Sequence, residues 1–499
     1  MPHAPNKLVP VDFTPVPSLA ALPTVTASSS VPDAVDAVAY LVTSDGDLPG
    51  NVGLSRDALA VAGFEAEPGT SIVIARDGVP VVLVGLGTGA EVDVDGVRDA
   101  AAASARATAK KGDRLAIVTS DLGLDVAALA QALAEGAQLA RYRYRALKAK
   151  PKDHPLGQLT IVVTGADEAA VAQGIAAAAP GVRATVVARD LSNTPAGFLT
   201  ATNMADEAQR LGSAYGFEVE VYDKAALIEL GCGGLLGVNA GSTEEPRMIV
   251  LRYRPEGTPK RHLGMVGKGI MFDSGGISLK PSDPMHLLMK IDMGGAAAVL
   301  GAFTALAGLG VESAVSAWLM CTDNMPSGTA TKLGDVLVAR GGTTVEVRNT
   351  DAEGRLVMMD ALVLATEDEV DAIVDIATLT GAALMALGKS TAALFGNNQE
   401  LIDAVFAAGA ETAEPVWQLP LEKKYRKQLD SEIADIANLA GPHAGATTAA
   451  LFLNEFVGDT PWAHIDIAGT MQTDSDDSWR SSGATGFGAR LLAKLAKDF

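Results

Sequence analysis

The sequence predicts an α/β protein of two domains, a smaller amino-terminal one and a larger carboxyl-terminal one, and three observations carry that expectation. The chain has 499 residues, room for two or three domains at roughly 100 to 200 residues each. Apolar residues make up 48% and charged residues 20%, the balance of an ordinary folded chain and not of a disordered or collagenous one. Short β-rich runs alternate with alanine-rich helical stretches over most of the length, the pattern of strands joined by crossover helices.

Seven of the 24 prolines fall before residue 33, beside Ser28-Ser29-Ser30, so residues 1 to about 32 read as an irregular or partly extended arm. Strands are expected at 38–42, 71–75, 81–84, 114–119 and 159–163, with helices at 97–110 and 126–139 between them. A helical run over 168–179 is expected to stop at Pro180-Gly181, and a second over 184–191 to end at Ser192-Asn193-Thr194-Pro195. These breaks place the domain boundary near residue 180, giving domains 1–180 and 181–499. Beyond it the alternation resumes, with strands near 248–253, 262–266, 314–320, 344–347, 372–376 and 463–467.

Composition removes several function classes. Cys232 and Cys321 are the only cysteines, too few for a disulfide framework or a clustered Cys zinc site, and they suit a reducing cytoplasm. The opening residues lack an apolar core behind a basic start, and no run of 18 apolar residues occurs, so neither a signal peptide nor a membrane span is expected. With 39 basic and 60 acidic side chains the formal charge is −21, which repels phosphate backbones and argues against a nucleic-acid partner. One basic run stands out: Arg141-Tyr142-Arg143-Tyr144-Arg145 with Lys148, Lys150 and Lys152. A clamp for a single strand is one reading, and a solvated helix end facing the helix dipole or an acidic neighbouring subunit is the favoured one. Gly85-Leu86-Gly87-Thr88-Gly89 follows a strand but fits a tight turn better than a dinucleotide fingerprint.

None of the six histidines has the i, i+4 spacing of a helical zinc site, so metal chemistry would have to use carboxylates. The strand at 262–266 is expected to deliver Lys268 and Asp273 into a glycine-rich loop, with Asp292 at the start of an alanine-rich helix. In parallel α/β sheets that edge is where ligands bind. A second cluster, Asp351 and Glu353, lies between the strand at 344–347 and a helix over 357–366. In an extended segment the two would share a face about 7 Å apart and could reach two ions about 4 Å apart. Four carboxylates would balance two divalent cations, whereas without metal they would repel and some would protonate.

At these residues the sequence resembles the leucyl aminopeptidase family of cytosolic metallo-exopeptidases. Asn349-Thr350-Asp351-Ala352-Glu353-Gly354-Arg355-Leu356 resembles the family's signature octapeptide, complete. The segments 267–280, 289–298, 378–382 and 461–470 resemble further family blocks, so the likeness spans residues 190 to 495. The amino-terminal third matches only as the family's smaller, more variable α/β domain. The resemblance implies a larger catalytic domain with a mixed sheet flanked by helices. Asp273 and Glu353 would bridge two metals, Lys268 and Asp292 completing one site and Asp351 the other. Lys280 and Arg355 fall on the two catalytic positions. Met289, Thr378, Leu379, Gly381, Ala468 and Met471 resemble the side-chain pocket, whose apolar, Met-lined character suits Leu or Met.

The implied activity is a protease of the aminopeptidase type, a metal-dependent hydrolase acting on peptides in the cytoplasm. A water between two metals loses its proton near neutral pH and attacks the first peptide carbonyl. Lys280 would stay protonated beside the developing oxyanion, and Arg355 would anchor a bicarbonate that shuttles the proton. Lys268 would have to be neutral to donate a lone pair. Manganese or zinc is the expected metal, with magnesium or cobalt compatible with the same donors. The resemblance further implies a homohexamer and no membrane partner. Two alternatives are weighed: a two-metal phosphoesterase, which would ordinarily add His ligands, and a DNA-binding or architectural oligomer with secondary peptidase activity.

Overall fold

The computed structural model describes residues 13–50, 52–75, 78–151 and 154–499. The first twelve residues of the leading arm, and Lys152 of the basic run, lie outside the described residues. Two compact units emerge: Pro17–Val186 with Thr473–Gly483, and a larger one of Val187–Gln472 with Ala484–Phe499.

The smaller unit is built on six strands, β1 (Thr24–Ala27), β2 (Ala37–Val42), β3 (Ser71–Ile74), β4 (Val81–Gly85), β5 (Arg114–Thr119) and β6 (Gln158–Val163). They lie in the order β1-β6-β5-β2-β4-β3, parallel except for β3 at one edge. The arm supplies the other edge strand: β1 is four residues long, and Pro23 before it and the serines after it keep it short. Helices Val94–Ala107 and Val126–Ala140 approach so closely that a Cβ on Gly136 would sit 2.1 Å from the Arg98 carbonyl oxygen. Their alanines (Ala100, Ala101, Ala105, Ala130, Ala137), all buried in the core, are small enough to allow that close approach.

The expected stop at Pro180-Gly181 does not occur. One helix runs from Glu168 to Asn193 through Pro180, and the division between the units falls within it, between Val186 and Val187. Proline removes one helical hydrogen bond at a cost of about 3 kcal/mol. Val171, Ala178, Val182 and Val186 are all buried in the smaller unit's core along the same helix, and that burial at about 25 cal/mol per Å² outweighs the lost bond. Two helical stretches, Glu168–Asn193 and Met289–Leu309, are long and apolar enough to cross a membrane, the first half-buried and the second almost wholly buried in the fold.

The larger unit carries the strands β7 (Glu218–Tyr222), β8 (Arg247–Tyr253), β9 (His262–Asp273), β10 (Ala314–Asn324), β11 (Val336–Val338), β12 (Thr344–Glu346), β13 (Ala372–Ala377), β14 (Ala392–Gly396), β15 (Val416–Gln418), β16 (Ile436–Ala437) and β17 (Trp462–Asp466). Eight form one sheet in the order β15-β14-β17-β13-β9-β10-β8-β7. The central four are parallel, while β8 runs against both β10 and β7, and β14 against β17 but parallel to β15, so the sheet is mixed and flanked by helices, as expected. Strands β11, β12 and β16 make a small separate sheet.

Strand β9 overturns one expectation: Lys268 sits inside a twelve-residue strand and not in a loop. The glycines that read as a loop serve close packing. A Cβ on Gly267 would lie 2.8 Å from Ala296 Cα, and one on Gly269 would lie 2.8 Å from Cys321 Sγ. The helix Gly294–Leu309 thus presses against the sheet, and a Cβ on Gly295 would fall 2.4 Å from the Ile376 carbonyl oxygen. Backbone cannot give way as a flexible side chain can, so Gly295→Ala should destabilise the larger unit by about 1–3 kcal/mol. Urea unfolding should show a lower midpoint for that unit, and an unchanged midpoint would mean the helix is free to shift outward.

Candidate metal and catalytic site

Four parallel strands aim their carboxyl ends at one region. In register, Gly267 lies beside Ile376, Ala377 beside Asp466, and Asp273 beside Asn324. Residues within or just beyond the ends of β9, β10, β13 and β17 therefore meet at one edge of the sheet, the usual place for a ligand in such folds. Asp292 arrives from a 3₁₀ turn, Met289–Met293, that feeds the helix Gly294–Leu309. Asp351 and Glu353 come from the segment after β12. That segment is not extended as expected: residues 350 and 351 form a turn, and Glu353 has helical dihedrals as the cap of the helix Gly354–Glu367. The Asn349 side chain accepts from the Asp351 N–H at 2.8 Å and fixes the turn. Gly354 is needed there, because a Cβ would come within 2.7 Å of Lys268 Cε.

The side chains form one ion-pair network. Lys268 Nζ donates to Asp292 Oδ1 at 2.8 Å and to the Thr378 carbonyl at 2.9 Å, and pairs with Glu353 Oε1 at 2.8 Å. Lys280 Nζ lies 2.8 Å from Asp273 Oδ2 and 2.6 Å from Asp351 Oδ1. Asp273 Oδ1 also accepts from Asn324 Nδ2 and from the Gly275 N–H, both at 2.8 Å, and Asp292 Oδ1 accepts from Thr378 Oγ1 at 2.7 Å. Oxygens of Asp273, Asp292 and Glu353 lie within 4.8 Å of one another, all three residues buried.

Counting charge, four carboxylates face two ammonium groups. Burial, and next the charge of Asp273, push the Glu353 carboxyl up to about 7 and that of Asp351 to about 6; burial foremost also raises Asp292. Burial opposes the charge on Lys268, yet Asp292, Glu353 and Asp273 together raise its pKa, so it is an ammonium here. Lys280 is raised in the same way, against burial, by Asp273 and Asp351. The set fits divalent metal: Glu353 Oε2 is buried with no hydrogen-bond partner, and closely spaced carboxylate oxygens short of positive charge are what a hard or borderline dication takes.

Arg355 stands in the first turn of the helix Gly354–Glu367, donating to the Asn438 carbonyl at 2.9 Å. Burial pushes its pKa down to about 10 against the pull of Glu353 and Asp466. Its Nε is buried with no acceptor, an open donor suited to an anion.

The expected pocket residues lie beside this network. Met289 opens the turn that carries Asp292. Met471 is buried, and its Sδ lies 2.2 Å from where a Cβ on Gly294 would be. Gly381 begins the helix Gly381–Leu387 and faces open space. Three neighbours converge on a residue the sequence reading assigned no role: Asp466 Oδ1 accepts from the N–H groups of Leu379 and Ala468, each at 3.1 Å, and its Oδ2 accepts from Thr380 Oγ1 at 2.7 Å. Asn324 was missed likewise. Both are polar residues at the carboxyl ends of parallel strands, Asp466 closing β17 and Asn324 closing β10, and that position at the ligand-binding edge is the signal that would have found them.

The cytosol aminopeptidase family matches this chain twice, its catalytic domain over residues 186–493 and its amino-terminal domain over residues 50–151. A probable cytosol aminopeptidase of Solibacter usitatus is 43% identical over 84% of this chain and 87% of its own length. One from Nostoc punctiforme is 41% identical over 92% and 93%. Among solved structures, the bottromycin maturation enzyme BotP superposes with a TM-score of 0.82 at 40% identity, covering 93% of this chain and 99% of its own. BotP in complex with Mn gives 0.83 at the same identity and coverage.

A pH dependence follows from the raised carboxyls. In the metal-free protein such groups hold protons that the unfolded chain has released, so their contribution to stability is present at low pH and is lost as pH rises through about 6 and about 7. A divalent ion reverses this by taking the place of those protons. The rise in Tm on adding Mn²⁺ to chelator-treated protein should therefore grow as pH climbs through that window. A gain independent of pH would show that the ion binds elsewhere.

Proposed function

The chain belongs to the cytosol aminopeptidase family and is a metallo-aminopeptidase, a hydrolase of peptide bonds; from that premise we propose that it releases amino-terminal residues, leucine and other apolar ones foremost, at a centre of two divalent ions. Asp273 and Glu353 would be shared between the ions, with Lys268 and Asp292 on one and Asp351 on the other. The observation that carries this reading is the buried network itself, four carboxylates against two ammonium groups with Glu353 Oε2 unpartnered. Mn²⁺ or Zn²⁺ is the proposed occupant, and a solved relative of this chain is a complex with Mn. When bound, such ions supply a water-derived nucleophile near neutral pH and offset charge at the reacting carbonyl.

The chain's own residues do the rest. Lys280, charged at neutral pH and about one-fifth exposed, is free to turn one of its three N–H groups to the oxyanion that develops on the substrate carbonyl. Arg355 Nε, lacking an acceptor, would hold bicarbonate as the group that carries the proton to the leaving amine. Lys268, an ammonium in the metal-free network, would have to be neutral to offer its lone pair to an ion held there. Met289 and Met471, with Thr378, Leu379, Gly381 and Ala468, would line the side-chain pocket, and Asp466 holds the backbone of Leu379 and Ala468 in place. Flexible thioethers adapt to leucine and methionine side chains. We further propose a cytoplasmic homohexamer with no membrane or nucleic-acid partner, on the resemblance noted above.

A free α-amine brings a lone pair to this cluster, and an acetylated one does not. Leucyl peptides should be cleaved and their amino-terminally acetylated forms left intact; equal rates would remove the amine from the recognition scheme. Lys280→Ala takes away an oxyanion donor and leaves the proposed ligands in place, so kcat should fall about 10²- to 10³-fold with metal content unchanged. Loss of metal from that variant would make Lys280 part of the metal-holding set instead.

A further inference from the structure

The smaller unit holds a second concentration of charge. Arg106, Arg141, Arg143 and Arg145, with His154 and Asp476, line a cavity of about 140 Å³, far above the roughly 10–15 Å³ needed for one water. Asp476 is the only carboxylate among its described lining residues. Among the described lining residues, four guanidinium groups thus surround one carboxylate in a chain whose net charge is −21.

The cluster is built, not merely crowded. Arg106, on the helix Val94–Ala107, donates to the carbonyls of Ser478 and Arg480 and lies 3.3 Å from Asp476 Oδ2 through its Nε. Arg143 pairs with the same carboxylate and donates to the Tyr142 carbonyl at 2.9 Å. Arg141 caps the helix Val126–Ala140 and is only 7% exposed, so at this residue the expected solvated helix end is not what forms, although Lys148 and Lys150 further along the run are exposed. It donates to the carbonyls of Ala105, Gly112 and His154 at 3.1, 3.0 and 2.9 Å, yet its Nε is buried with no partner. Carbonyl oxygens satisfy N–H groups without cancelling charge. Burial foremost lowers the pKa of Arg141, and Arg145 and Arg143 add to it; burial lowers Arg106 too, with Asp476 opposing and Arg143 adding. Asp113 and Asp477 offset this only in part.

We propose that this cavity binds a small multivalent oxyanion, either free phosphate or the phosphate group of a small organic monoester. Planar guanidinium forks present paired donors matched to tetrahedral oxyanions, and the buried, unpartnered Arg141 Nε beside the cavity is a donor such an anion would take up. Every residue in the site belongs to the smaller unit, so the inference is independent of the peptidase reading.

The test is calorimetric titration of the full-length, metal-loaded protein with inorganic phosphate and with phenyl phosphate, against chloride at equal ionic strength. Phosphate should bind saturably. Arg143→Gln and Arg145→Gln should each weaken that binding about tenfold or more, Arg143→Lys should fall between, and cleavage of a leucyl peptide should be unaffected in all three. Arginine-dependent binding of phenyl phosphate as well as phosphate marks a monoester site, and of phosphate alone a free-ion site. Binding that neither glutamine variant changes, or that chloride reproduces, overturns the proposal. So does arginine-dependent binding of a single-stranded oligothymidylate without that of either small anion, which would make the cluster part of a nucleic-acid footprint.

Discussion

Lys268 Nζ is almost wholly withdrawn from water and lies within 2.9 Å of oxygens from Asp292, Glu353 and Thr378. An ion buried to that degree costs several kcal/mol, on the order of the desolvation penalty of any buried charge, unless partners surround it. Around it the balance runs the other way, with more carboxylate than ammonium charge, and Glu353 and Asp351 respond by holding their protons to higher pH. The larger unit must hold this cluster together against its own repulsion, and much of its architecture serves that end. Parallel strands bring four chain segments to one edge, and the helix Gly294–Leu309 is pressed onto the sheet through glycines so that Asp292 reaches Lys268.

That constraint explains the side-chain hydrogen bonds that brace the backbone around the cluster, even as Glu353 Oε2 and Arg355 Nε within it stay unpartnered. Asn324 ties Asp273 to the Thr350 carbonyl, Asn438 ties the carbonyls of Asn349 and Ala352 together, and Asp466 gathers the turn after β13. Each removes a degree of freedom from a charged side chain or from the backbone beneath it. Preorganisation of this kind allows electrostatic groups to act on a reacting centre without first rearranging.

Much of this was legible in the sequence. Alternating strand and helix patterns located β2, β4, β5, β6, β8 and β13 to within a residue or two, because strands buried on both faces read as short apolar runs whether their neighbours are parallel or, as for β8, antiparallel. Four carboxylates near strand ends in a chain with poorly spaced histidines pointed to an oxygen-ligand centre. The misreadings share one cause, tertiary packing overriding a local signal. Gly267 and Gly269 look like loop residues but let a helix and a neighbouring strand approach β9. Pro180 looks like a stop but sits in a helix buried on both sides of it. Arg141 looks solvated but turns inward to three carbonyls. Asp466 and Asn324 carried no motif of their own, and only the assembled sheet shows what they hold.

Metal content of the purified protein, measured by mass spectrometry after dialysis at neutral pH, bears most directly on the central claim. A cluster of Asp273, Asp292, Asp351 and Glu353 short of positive charge predicts two divalent ions per chain, with fewer in Asp273→Ala because a shared carboxylate is gone. Full peptidase activity in chains that hold no divalent ion, or an undiminished count in Asp273→Ala, would contradict it.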